Sequence, residues 1–228
     1  MSTWAYEYGT LWAIDLKERS PPAVEPRTPA AFREVSREDL HVLAGSMGMT
    51  DTDPLLRRLS GRRRCFAAWI GEDIAAYGWV SQGDEWIGEQ ERCIRISRQE
   101  AYIWDCVTLP DYRRQRLYSA LLSHMLSVLK CEDTQKVWIG TALENKPSIK
   151  GFTNAGFRPV LELLFLRLFN LRIWWLQSSA HHSTRQVPEH LVEAAHEALV
   201  RPEERTLGPL VIGRSPAASF SGCIQVEG

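Results

Sequence analysis

The chain is short of cysteine, of net charge and of long uninterrupted apolar runs, and each shortage argues against a class of protein. Its five cysteines (Cys65, Cys93, Cys106, Cys131 and Cys223) are odd in number and show no C-x-x-C spacing. That speaks against a disulfide framework or a zinc ribbon and makes a reducing compartment the expectation. Lys+Arg total 27 against 28 Asp+Glu, a net charge of −1. Bulk attraction to nucleic acid or to an anionic membrane is therefore weak. The most apolar stretch, Phe157 to Leu176, is broken by Arg158, Glu162, Arg167 and Arg172. These charges lie too close together for a span of about 18 uncharged residues, and the stretch reads as two adjacent buried strands. Met1 to Thr10 lacks a basic start followed by an apolar core, so no secretory signal is expected. The expectation is a soluble cytoplasmic protein that takes neither nucleic acid nor membrane as its partner.

What is present fits one domain with long ends: 228 residues, 44% hydrophobic and 24% charged. Residues 1–30 read as an N-terminal extension, aromatic at first (Trp4, Tyr6, Tyr8, Trp12), then a Pro-rich link from Pro21 to Pro29. So many prolines form neither a helix nor a central strand, and ordered structure is expected from Phe32. Residues 31–176 carry the domain, in the order β-α-α-β-β-β-α-β-α-β-β. Ser36 and Asp39 suggest a capping-box helix start. Cys65–Ile70 and Ile74–Val80, divided by Gly71-Glu72-Asp73, suggest a hairpin. Leu117, Leu121, Leu122, Met125, Leu126 and Leu129 repeat at helical spacing. The fold expected is α/β: a mostly antiparallel twisted sheet of about six or seven strands flanked by helices. Residues 177–228 read as a polar tail with one helix at 188–200. Basic clusters at Arg57-Arg58 and Arg62-Arg63-Arg64 read as a solvated helix end and loop.

The stretch from Ala101 to Lys130 carries the most chemistry. A dense apolar strand (Tyr102 to Leu109) leads through Pro110 into an arginine-rich loop that opens a helix. Backbone N–H groups at a helix start, reinforced by the helix dipole, seat an anion. Arg113, Arg114 and Arg116 add guanidinium forks that match phosphate oxygens in pairs. The pattern points to a phosphorylated cofactor. Asp105 in the strand can draw a proton from a nucleophile directly or through water, or else fix a turn or a neighbouring amide. Cys106 suits packing better than nucleophilic attack. His181, His182, His190 and His196 lack the i, i+4 spacing of ligands, so no metal is expected.

The motifs resemble those of the GNAT superfamily of acyl-CoA-dependent N-acyltransferases. The cofactor motif Q/R-x-x-G-x-G/A appears as Arg113-Arg114-Gln115-Arg116-Leu117-Tyr118, after Pro110-Asp111-Tyr112. The later N-x-x-S/A pattern appears as Asn145-Lys146-Pro147-Ser148, followed by Phe152 and by Ala155-Gly156-Phe157. The resemblance implies acetyl-CoA as co-substrate and a small-molecule or peptide amine as acceptor. It implies that Cys106, Val107 and Thr108 offer main-chain bonds to the pantetheine arm. The amides of Arg113, Arg114, Gln115, Arg116, Leu117, Tyr118 and Ser119 would then receive the pyrophosphate. Asn145 would bond the cofactor arm near the acceptor. The resemblance marks no evident base, and Asp105 is the candidate the strand itself offers, with Glu85 and Tyr102 as further candidates. The amine attacks the thioester, a tetrahedral intermediate forms, and CoA thiolate leaves.

Three departures stand out. Arg116 and Tyr118 occupy positions usually given to glycine or another small residue. Phe152 sits where many members have a tyrosine that protonates the leaving thiolate, and phenylalanine has no proton to give. A non-catalytic CoA-binding regulatory module is the alternative these departures support. The strands at 161–176 are also a candidate surface for a homodimer.

Overall fold

The computed structural model describes residues 4–59, 61–88, 91–169, 171–179, 189–200, 205–207 and 210–214. Ordered structure begins well before Phe32. The aromatic start forms β1 (Trp4–Asp15), which alternates side chains as a strand must. The central run is β2 (Ala31–Glu34), α1 (Leu40–Ser46), α2 (Asp53–Arg58), β3 (Arg63–Ile70), β4 (Asp73–Ser81), β5 (Glu85–Ile87), β6 (Arg92–Ile94) and β7 (Glu100–Thr108). A single 3₁₀ turn at Pro110–Tyr112 precedes α3 (Leu117–Cys131), β8 (Lys136–Ala142), α4 (Lys146–Asn154), β9 (Arg158–Leu168) and β10 (Leu171–Ser178). The C-terminal part holds α5 (Glu189–Leu199), β11 (Arg205–Leu207) and β12 (Leu210–Arg214). His181, His182 and Cys223 lie outside the described residues.

Ten strands form one sheet, in the order β11-β12-β10-β9-β1-β8-β7-β4-β3-β2, and β5 with β6 forms a separate ribbon. The sheet is thus wider than the six or seven strands expected, because β1, β11 and β12 add to it. Every neighbouring pair is antiparallel except β7 with β8. β1 is no outlying extension: it pairs with β8 on one side and β9 on the other, Thr10 facing Thr141 and Glu162.

α3 and α4 cover one face of the sheet. Their core joins Leu121, Leu122, Met125 and Leu129 to Phe66, Val80, Ile103 and Phe152. On the other face α5 packs with Trp138, Phe165 and Trp174, and α1 and α2 pack with Trp69, Trp79 and Cys65. His124, on α3, is half-buried. Its ring sits 5.8 Å from that of Phe32 and 6.1 Å from that of Phe66, and burial pushes its pKa down.

One local signal acts differently from the expectation, and a second acts as expected. The Ser36–Asp39 pair does not open the helix at Ser36. Asp39 is the residue before α1, and its carboxylate accepts from the Ser36 amide (2.9 Å), the Ser36 hydroxyl (2.7 Å) and Arg33 (2.6 Å). These donors hold the Asp39 carboxyl well below the usual range. The hairpin forms as expected, with Ile70 opposite Asp73 and Gly71 in the left-handed region at φ +63°. A two-residue turn with glycine first matches the strand twist.

Candidate active site

The site exists because two parallel strands part. β7 and β8 pair only from Glu100↔Lys136 to Ile103↔Ile139. Beyond that point Trp104 and Asp105 form one wall, and Gly140, Thr141 and Ala142 the other, of a cavity of about 580 Å³. Its remaining lining comes from Glu7–Leu11 of β1, Arg58, Arg63, Glu85–Gly88, Tyr102, Asn145, Leu163 and Leu199. Parting also explains a difference from the sequence reading. Residues 101–103 are buried as expected, but 104–108 are half-exposed because no strand covers their outer edge.

A bulge aims Asp105 into this cavity. Tyr77 pairs with Val107 but Trp79 with Trp104, so β7 holds one residue more than β4 over that step. Asp105 takes the left-handed conformation at φ +44°, which aspartate tolerates better than most residues. Opposite the bulge lies Gly78, where a Cβ would come within 2.6 Å of the Cys106 sulfur. The Cys106 side chain therefore turns toward Met125 and away from the cavity. Burial and the neighbouring Asp105 charge push its thiol pKa up, which suits packing and not nucleophilic attack.

Asp105 is held by Arg58 at 2.5 Å, and the guanidinium lies 5.2 Å and 5.1 Å from the rings of Trp79 and Trp104. The reading of Arg57-Arg58 as a solvated helix end is therefore corrected for Arg58. Arg63 and Arg64 are likewise engaged: Arg63 grips Glu85 with two 2.7 Å bonds, and Arg64 bonds Glu34 and Glu132. Glu85 is buried and also accepts from the Ser81 hydroxyl and the Trp86 amide. With its oxygens so occupied, it is a poor base. Tyr102 is buried at the cavity edge. Tyr8 donates to Glu162 at 2.6 Å, and that bond raises the phenol's pKa.

Asn145 reaches the same cavity from the opposite wall. It caps α4, its side-chain oxygen accepting from the Ser148 amide at 3.2 Å. Its amide N–H₂ has no acceptor among the described residues. Asp105 and Asn145, far apart in the chain, thus meet at one cavity.

The arginine loop lies outside that cavity. Arg113 is extended (φ −65°, ψ 159°), whereas Arg114 and Arg116 are left-handed at φ +64° and +63°. Arginine at position 116 thus adopts the backbone shape a glycine would supply, with its side chain exposed. The Ala120 amide is the one that bonds the Arg116 carbonyl (3.1 Å), so the amides before it point out of the helix end. The side chains of Leu117 and Ser119 are buried, Ser119 accepting from Asn154 at 3.4 Å. Only their main chains can serve a ligand. Arg113 Nε donates to the Thr108 carbonyl at 3.4 Å, and Val107 packs against the core on the α1–α2 side.

Tyr118 is turned sideways, not across the loop. Its ring fills the place where a Cβ on Gly151 would lie, 2.3 Å from the ring's edge, and its hydroxyl bonds the Ser148 side chain. Phe152 is buried against Trp12 at 5.7 Å and does not line the cavity. Arg58, Arg63, Trp104 and the β1 wall are among the cavity residues that sequence reasoning missed. Only the burial-prone tryptophans hinted at them.

His190 faces Asp15 at 3.5 Å and Glu18 at 4.0 Å at the surface. Nothing else there points to a bound ion. Among the described residues no helix is long and apolar enough to cross a membrane.

A sheet whose parallel pair splays over a Pro-led, arginine-rich helix start defines an acyltransferase type of fold. Residues 29–157 match the profile of the acetyltransferase (GNAT) family, and the chain belongs to that family. No curated protein matches the sequence. Among solved structures it is similar to a GCN5-related N-acetyltransferase from Sphaerobacter thermophilus, with 13% identity and a TM-score of 0.53 over 70% of this chain and 50% of that one. It is also similar to a GNAT-family acetyltransferase from Colwellia psychrerythraea, with 13% identity and a TM-score of 0.51 over 72% and 56% of the two chains. The chain spans about half the length of these structures, and the likeness is one of fold.

Proposed function

We propose that this protein transfers an acetyl group from acetyl-CoA to a primary amine of a small molecule or peptide. The observation that carries the reading is the cavity opened between β7 and β8, onto which Asp105 and Asn145 converge. The residues suit coenzyme A. The unpaired outer edge of Cys106, Val107 and Thr108 offers main-chain bonds to an extended arm. The loop from Arg113 to Ser119 offers amides and guanidinium groups to a diphosphate.

In this reading the acceptor amine enters the cavity and loses a proton to Asp105, directly or through a water. The nitrogen lone pair forms the new C–N bond, the C–S bond breaks, and the electron pair leaves on the thiolate. Asn145 donates toward the arm near the reacting carbonyl. No tyrosine at position 152 protonates the thiolate, and none is required, since thiols ionise near pH 8–9. Positioning supplies much of the rate. Cys65, Cys93, Cys106 and Cys131 form no disulfide, which favours a reducing, cytoplasmic setting.

Calorimetric titration with acetyl-CoA, coupled to CoA release with a panel of amines, tests this. Binding with turnover is expected, and no binding at millimolar ligand overturns the reading. Binding without turnover on any amine favours the regulatory module that Phe152 and Tyr118 suggest. Arg113→Ala and Arg114→Ala should each weaken acetyl-CoA binding by about tenfold, the value of one charge-assisted phosphate bond. Asn145→Ala should lower turnover more than binding. Unchanged affinity in both arginine variants removes the loop from the site.

For the assembly we propose a homodimer, a second copy covering one apolar face of β1, β9 and β10. Tyr8, Leu164 and Trp175 stand in one cross-strand row, 36%, 41% and 44% exposed. Tyr6 (63%) and Leu171 (40%) extend it. At 150–250 Å² per aromatic side chain, the patch amounts to roughly 500 Å². With the half-buried Leu166 and Ile173 it reaches roughly 600 Å², about three quarters of the ~800 Å² per partner of a stable interface. Two such faces can stack as sheets do, about 10 Å apart. Sedimentation equilibrium should give twice the 26.0 kDa chain mass, and Trp175→Glu should give the monomer. A wild-type monomer at tens of micromolar would refute the pairing.

A further inference from the structure

We infer that the proline-rich segment before β2 belongs to the cofactor site, and that Arg27 is a ligand for a phosphate of coenzyme A. The inference rests on the acetyl-CoA reading above and adds to it a segment that neither motif contains.

The segment runs as a strap along α3, from its C-terminal end to its N-terminal end. Lys130 donates to the Arg19 carbonyl (3.3 Å) and the Ser20 hydroxyl (3.0 Å). Ser123, in the middle of the helix, donates to the Pro22 carbonyl at 2.6 Å. Beyond the helix start, the Arg27 amide donates to the Gln115 carbonyl at 2.8 Å and the Thr28 hydroxyl to the Gln115 side-chain oxygen at 2.9 Å. The lengths agree. Thirteen helical steps from Lys130 to Leu117 cover about 20 Å, and seven extended steps from Ser20 to Arg27 cover about 22 Å. Prolines at 21, 22 and 26 hold the strap extended, so little further ordering is lost when a ligand arrives.

The clamp closes on the residue between the two left-handed ones. Gln115 sits between Arg114 and Arg116, each at a φ that costs a side-chain-bearing residue energy. Both of its acceptors are taken by the strap, which fixes the peptide units on either side. The same contact brings the Arg27 guanidinium to the Arg114 carbonyl at 3.5 Å. Arg27, Arg113, Arg114 and Arg116 are all exposed. Among the described residues none of the four has a carboxylate partner, whereas Arg33, Arg58, Arg63 and Arg64 all do. Like charges gathered on one loop repel, and an anion of matching charge relieves them. Coenzyme A carries three phosphates, more than the loop's own motif accounts for.

Titration with CoA compares wild type with Arg27→Ala, Arg27→Lys and Arg19→Ala, the last removing an equal charge from the far end of the same strap. Expected are about tenfold weaker binding for Arg27→Ala, partial recovery for Arg27→Lys, and no change for Arg19→Ala. The melting temperature should stay that of wild type, since the Arg27 side chain buries nothing. Tenfold weakening that vanishes with dephospho-CoA assigns Arg27 to the ribose phosphate. Weakening that persists assigns it to the diphosphate. Wild-type binding with Arg27→Ala unchanged overturns the inference and leaves the acetyl-CoA reading standing. Failure of wild type itself to bind overturns both.

Discussion

Asp105→Asn is expected to lower kcat by 10²- to 10⁴-fold, the usual contribution of a positioned general base, while acetyl-CoA binding stays within about threefold of wild type. Asparagine keeps the shape of the side chain and is among the residues best suited to the left-handed conformation at φ +44°. The bulge should therefore survive the change. What is lost is the carboxylate's proton affinity, and with it the charge that partners Arg58 at 2.5 Å. Arg58 still lies beside the stacked Trp79 and Trp104 rings, within 5.2 Å of both centroids, so the cost in stability should be small. Far-ultraviolet dichroism and CoA titration separate a chemical defect from a folding one. A variant that folds, binds CoA and turns over within threefold of wild type would remove Asp105 as the base.

Gly151→Ala is expected to destabilise the fold by about 2 kcal/mol, near the middle of the range for overpacked sites. For a chain of this length that corresponds to a fall in Tm of about 4–8 °C. The sign is diagnostic, because alanine in a helix ordinarily gains nearly 1 kcal/mol over glycine. Here the new Cβ would stand 2.3 Å and 2.4 Å from two atoms of the Tyr118 ring. The ring has nowhere to retreat, since it packs beside Phe152 at 6.2 Å and its hydroxyl is bonded to Ser148. In a Tyr118→Ala background the same substitution should be neutral or stabilising. A double-mutant cycle measures that coupling directly. If Gly151→Ala raises the Tm in the wild-type background, the two residues are not packed as described.

The same pair explains an anomaly of the cofactor motif. The family pattern asks for a small residue at position 118, and this chain has tyrosine. The small residue is instead Gly151, on the facing helix, so the space between α3 and α4 is filled from one side rather than left open. Arg116 is a departure in sequence alone, because its backbone takes the conformation the glycine would have given. Spacing shows where the motif lies but not how its side chains turn.

Much of the fold is legible in short windows. The leucines of α3 repeat at helical spacing, Gly71 marks the β3–β4 turn, and Gly156, at φ +93°, follows the end of α4. β1 is not legible in this way. Its partners are more than a hundred residues away, Asp15 meeting Lys136 and Trp4 meeting Leu168. The prolines that follow it look like the edge of a domain, although they are a strap across one. The strand β7 misleads for a related reason: its composition signals full burial, but its second half has lost a neighbour.

The amino-acid order by itself determined the arginine-rich loop at residues 113–116, the helix behind it and the two motifs that mark the family, because these depend on neighbours within a turn or two. Only the tertiary structure decided that Asp105 points into a cavity and pairs with Arg58, that Cys106 turns inward, and that β1 walls the same cavity. Each of these follows from a bulge, a register or a parted strand pair. Such features are set by the summed packing of distant segments and leave no periodic trace in the chain.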